Sequence, residues 1–188
     1  MIKKEFRRIA EKEGGKFYFQ EGNHFLSNGS HSPDLSFLIK LPHKEDEIKV
    51  LNQTGTAFVG TIVGKLPTHI RPIDFELNSI SNLANLFLRK KSRFRISSKN
   101  ENIKHFLHHN ESLKQLSQIA NETAFTPQIS IVRKDGVNQI VTKYHLEFED
   151  WTQVIEPLIA FYRNLMDEFE KNIAHVSLDS YKRMNGFE

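Results

Sequence analysis

The chain has no cysteine, a single tryptophan in 188 residues and no long apolar run. Without sulfur there is no disulfide framework, no thiolate zinc site and no cysteine nucleophile, because each needs a thiol. The longest weakly charged apolar stretch, Thr54 to Gly64, carries three glycines and is about half the ~20 residues that a membrane-crossing helix needs. It reads as a buried strand. Met1 to Ala10 is charged throughout, and no apolar segment of secretory length follows the basic start, so cytoplasmic residence is the expectation. A dominant charge is lacking too: 26 Lys and Arg against 23 Asp and Glu leave +3, too little to make polyanion binding a property of the whole surface.

Catalytic signatures are also missing. No Gly-x-Ser-x-Gly elbow, His-Glu-x-x-His helix or Gly-x-Gly-x-x-Gly turn occurs. The run Gly60-Thr-Ile-Val-Gly64-Lys65 falls short of a phosphate loop, which needs four residues between its glycines and Ser or Thr after the Lys; Leu66 follows here. These glycines are better explained by close packing in a strand.

What is present is a core: 38% hydrophobic residues, fifteen of them Phe, in a chain long enough to bury roughly 70% of its surface. Ile2, Phe6, Ile9 and Ala10 recur at helical spacing, predicting a helix from Ile2 to about Glu13 that ends at Gly14-Gly15. From Lys16 to Leu77 the period is two, giving five strands with inward sets Phe17 and Phe19; Leu35, Phe37, Ile39 and Leu41; Ile48 and Val50; Ala57, Val59, Thr61 and Val63; Ile73, Phe75 and Leu77. Short polar or glycine turns join them, so they should pair antiparallel. A short helix is predicted over Ser79 to Leu88, then a strand in which Phe94 and Ile96 face inward.

Asn100 and Asn110 are N-cap residues for two consecutive helices, the first carrying Ile103, Phe106 and Leu107, the second Leu113, Leu116, Ile119 and Ala120. Asp135-Gly136 sets a hairpin between arms carrying Ile129 and Ile131, and Ile140, Thr142, Tyr144, Leu146 and Phe148. The last helix should open at Asp150-Trp-Thr-Gln153 as a capping box, with Val154, Leu158, Phe161, Tyr162, Leu165 and Phe169 on one face. Pro157 requires either a small kink or a helix that starts near Glu156. There is no internal repeat, so residues 1–176 form one domain, with 177–188 a loose tail.

The most specific candidate site is a basic stretch. Arg89, Lys90, Lys91, Arg93 and Arg95 are anion-binding candidates, because Arg93 and Arg95 flank the inward Phe94 and should project from one sheet face beside the other three. From His145 to Glu170, by contrast, seven acids stand against Arg163 alone, and a C-terminal helix packed across the basic strand would neutralise it. His105, His108 and His109 with Glu101 have metal-ligand spacing but fall on the wet side of their helix, so no metal site is assigned. Asp74 and Glu76 alternate with core residues and should face water or Arg71.

Asp74-Phe75, the strand Phe94-x-Ile96-x-Ser98-x-Asn100, the helix carrying Ile103-x-x-Phe106-Leu107, and Asn110-x-x-Leu113-x-x-Leu116 together resemble a bacterial α+β family of unknown function. The resemblance covers roughly a quarter of the chain, through N-cap and core positions. It implies the fold and carries over no catalytic residue. Some members of that family are tied to membrane segments, of which this chain shows none.

The expectation is therefore an α+β fold: a mostly antiparallel, curved sheet of seven or eight strands, covered on one face by the N-terminal helix, the central helix pair and the long C-terminal helix. In function it reads as a non-catalytic binding or protein-interaction module with no cofactor and no catalytic residue, its partner an unknown protein or small ligand. Two alternatives stand beside it. Nucleic acid or another polyanion would bind through residues 89–95; a small ligand or substrate would occupy a pocket between the sheet and the C-terminal helix.

Overall fold

The computed structural model describes residues 1–25, 31–67, 75–80 and 93–184. The architecture is α+β, with eight antiparallel strands in one curved, unclosed sheet. Helix α1 (Ile2–Lys12) leads into β1 (Lys16–Phe25), β2 (His31–His43), β3 (Asp46–Thr54) and β4 (Val59–Lys65), a four-stranded meander. The chain then skips two strand positions to β5 (Phe75–Ser79) and β6 (Phe94–Ser98) at the far edge. It continues through helices α2 (Glu101–His109) and α3 (Glu111–Glu122), and the hairpin of β7 (Gln128–Lys134) and β8 (Val137–His145) fills the gap. Strand β8 pairs with β4 and β7 with β5, so the order is β1-β2-β3-β4-β8-β7-β5-β6. A 3-10 turn over Trp151–Val154 precedes helix α4 (Ile155–Met184).

Local chemistry explains most of these boundaries. The Asn100 and Asn110 carboxamides accept from the amides of Ile103 (3.0 Å) and Leu113 (2.9 Å), capping α2 and α3 as their spacing predicts. Asp135 and Gly136 both take positive φ, 51° and 77°, as a two-residue turn of a right-twisted hairpin requires. The capping box at Asp150 does not form: Asp150 is left-handed, caps no amide, and accepts from the Thr152 hydroxyl at 2.8 Å instead. The α-helix proper starts at Ile155, which puts Pro157 in the first turn, where its missing N–H is not needed. Its backbone stays helical through Met184, so the segment expected as a tail from Ser177 continues the helix over residues 177–184, and 185–188 lie outside the described residues. The helix predicted over Ser79 to Leu88 is not matched at its start, since Ser79 ends β5; residues 81–92 lie outside the described residues.

The core lies between one face of the sheet and the helices. Val154, Leu158, Phe161, Tyr162, Leu165 and Phe169 are all buried, joined by Ile155, Ile159 and Met166, so α4 is apolar around more than the predicted stripe. At the other end Trp151 packs on Phe6 and Phe37, with ring centroids 5.8 and 6.4 Å away. Strand β4 departs from the expected face. Gly60, Ile62 and Gly64 point inward, while Val59, Thr61 and Val63 are only half-buried. The reason is steric. Tyr144, directly opposite Gly60, lays its ring where a Cβ would stand, and a Cβ on Gly64 would sit 2.9 Å from Met166 Sδ and 3.0 Å from Tyr162 Cδ1. Large inward side chains on β4 would have no room.

Candidate functional site

Of the five anion-binding candidates, Arg89, Lys90 and Lys91 lie outside the described residues. Arg93 and Arg95 are described, and they part company. Arg93 precedes β6 at a bend, so strand alternation does not apply to it. Its residue is 5% exposed, its amide donates to Ser117 Oγ at 3.1 Å, and its carbonyl accepts from Ile80 N at 2.8 Å. Arg95 lies within β6, opposite Asn78, and is exposed.

Three acids of α4 have other partners. Glu156 pairs with Arg8 (2.9 Å) and Lys12 (3.1 Å) of α1; Asp167 pairs with Lys44 (2.6 Å) and His43 (3.2 Å) at the β2–β3 turn; Glu170 also holds Lys44. These three acids answer α1 and a hairpin rather than the basic stretch, because α4 lies over the middle of the sheet and β6 is at its edge.

The other sequence candidates divide similarly. His105, His108 and His109 are exposed on α2; the His105 and His109 rings stack at 4.2 Å, and His109 Nδ1 lies 2.8 Å from the His105 carbonyl oxygen. Among the described residues no group of three His, Asp or Glu could hold a metal ion. Glu76 is exposed, opposite Ser97 and Ser130; Asp74 and Arg71 lie outside the described residues. Between sheet and α4 the space is filled. Tyr144 donates to Asn52 Oδ1 (2.9 Å), Tyr162 donates to the Ile62 carbonyl (3.0 Å), and the Thr142 and Tyr162 hydroxyls share a hydrogen bond (2.7 Å), all fully buried. Burial pushes both phenols far above the ordinary tyrosine range, against the hydrogen bonds with Asn52 and Thr142, so neither ionises near neutrality. These groups form a polar cluster inside the core, in which Asn52 Nδ2 alone finds no hydrogen-bond partner among the described residues.

The opposite face of the sheet carries a feature that no run in the sequence announces. Among the described residues no helix packs on it. In the register, Lys16 stands opposite Lys40 and Lys40 opposite Lys49, a row of three lysines on three neighbouring strands. The adjacent row reads Tyr18, Leu38, Leu51, Thr61 and Lys143 across five strands. Lys65 lies on the same face of β4, and Arg95 on that of β6. The acid nearest the row is Glu47, bound to Lys49 at 2.8 Å. Its carboxyl is held below the usual range by that hydrogen bond, with burial opposing and the charges of Lys49, Lys40 and Lys65 adding to it, so several lysine fields converge there. Lys40 Nζ lies 5.4 Å from the Tyr18 ring, and Tyr18 is 46% exposed. Among the described residues Lys16, Lys65 and Lys143 make no ion pair.

The sequence gives only a faint signal for this face. Lys40 sits between Ile39 and Leu41, and Lys49 between Ile48 and Val50, so alternation sends both outward; their meeting depends on register.

No family model matches the chain, and no curated protein or solved structure is significantly similar to it.

Proposed function

We propose that this chain is a non-catalytic binding module, acting in the cytoplasm, whose sheet face opposite the helices, bare among the described residues, receives an anionic macromolecule. One observation carries the reading: Lys16, Lys40 and Lys49 stand directly opposite one another on successive strands. Like charges in that position destabilise a sheet. Glu47 offsets one of them. An anion laid across the row would relieve the rest, and the surrounding Leu38, Leu51 and Val63 offer a half-buried apolar floor. Arg95 extends the same face at its far edge, so one of the basic residues picked out in the sequence contributes. The resemblance over residues 74–116 concerns caps and core positions and lends nothing to this surface.

Retention on a heparin column tests the reading. Reversing two face charges, Lys40→Glu with Lys49→Glu, should bring elution to markedly lower salt. Reversing two on the helical side, Lys4→Glu with Lys171→Glu, should shift it far less at equal net charge. Equal shifts for both pairs would remove the face from the reading.

A further inference from the structure

Resting on that reading, we infer that the occupant of the lysine face is single-stranded nucleic acid, with phosphates on the row Lys16, Lys40 and Lys49 and a base stacked on Tyr18. Three features of the face point the same way. Its cations near the row are all lysines. A lysine ammonium is a compact point charge on a flexible stem that meets the oxygens of a flexible phosphodiester chain from many directions.

The second feature is Tyr18. It lies on the edge strand beside the row, in register with Leu38; the residue is 46% exposed, and the Lys40 ammonium lies 5.4 Å from its ring centroid. An exposed ring flanked by cations is what an unpaired base needs: a flat surface for stacking, with charge nearby for the phosphodiester. A duplex hides its base faces and cannot use such a ring. An acidic protein could use the lysines but has no base to stack.

Third, the row beyond Tyr18 is polar. Gln20 lies opposite Ser36, and Ser36 opposite Gln53, with Gln53 Nε2 donating to Ser36 Oγ at 3.4 Å. These groups can exchange that long contact for hydrogen bonds to base edges without leaving a buried group unpaired. Phosphate, stacking and base-edge partners thus occupy three adjacent rows of one open sheet, in the order backbone, base face and base edge.

The test is fluorescence anisotropy of a fluorescein-labelled 15-nucleotide oligothymidine with the full chain, between 50 and 200 mM NaCl. Three phosphate contacts predict a slope of log K against log salt of about −2, and Lys40→Gln and Lys49→Gln should each flatten it by about 0.7. Tyr18→Ala should weaken binding about tenfold with the slope unchanged, while Tyr18→Phe retains wild-type affinity. All three positions are at the surface, and unchanged far-UV circular dichroism confirms that each variant is folded. The inference is overturned if duplex of the same length or poly-glutamate binds as tightly, if Tyr18→Ala has no effect, or if the slope ignores both lysines. Should any of these occur while the Lys40→Glu, Lys49→Glu pair still loses heparin retention, the face binds anions and only its occupant is wrong; loss of both results removes the face itself.

Discussion

Tyr144 and Tyr162 each combine two tasks, filling space above a glycine and tying a hydroxyl into the sheet. Tyr144 covers Gly60 and reaches Asn52 on the next strand; Tyr162 lies against Gly64 and bonds Ile62 and Thr142. A side chain at Gly60 therefore has nowhere to go, since the ring above it is held at its far end. Gly64 is more forgiving, because Met166 can swing its thioether aside. Gly60→Ala should lower stability by about 1–3 kcal/mol, the usual cost of overpacking, and Gly64→Ala by less. Urea unfolding of the two variants checks the order; a Gly60→Ala midpoint equal to wild type would mean that Tyr144 is not fixed there.

At the scale of elements, the β2–β3 turn is clasped to α4 by Lys44, His43, Asp167 and Glu170. Burial tends to raise the Asp167 carboxyl, but Lys44 and His43 outweigh it and hold it below the ordinary aspartate range. Lys44 is raised by its bonds to Asp167 and Glu170. A lowered acid stabilises the fold above its unfolded pKa and stops doing so as pH falls through its folded one; a raised lysine does so below its unfolded pKa and stops as pH rises through its folded one. The clasp thus works between about pH 4 and pH 10. Its groups are partly exposed, so its worth is below about 1 kcal/mol. Asp167→Asn should lose that amount at pH 7, and the gap in urea midpoint should close on acidification to about pH 2. A gap constant with pH would show that Asp167 acts through packing alone.

The same helix shows how far local rules reach. The caps at Asn100 and Asn110 were legible because an N-cap needs only its own turn. Asp150 carried a similar signature and caps nothing, because the entry from β8 first makes a 3-10 turn that buries Trp151 and Val154. Tertiary burial set that helix start.

At the level of the molecule, the sheet and four helices of the described residues share one core, and the only tryptophan of the sequence lies at the junction of α1, β2 and the 3-10 turn. Trp151 is 9% exposed. Its emission should be blue-shifted in the native state and move red on unfolding in step with far-UV circular dichroism, as a single cooperative unit requires. Fluorescence shifting at lower urea than circular dichroism would mean that α1 undocks before the sheet opens.

The class of fold, most strands and helices, two caps and the hairpin at Asp135-Gly136 follow from the order of residues alone, because periodicity and turn chemistry act over a few residues. It took packing in three dimensions to settle which face of β4 is buried, where Glu156 and Asp167 pair, that Arg93 is buried, and that Lys16, Lys40 and Lys49 form one row. Each of those depends on register or packing between segments far apart in the chain, and one-dimensional patterns carry no record of what stands opposite.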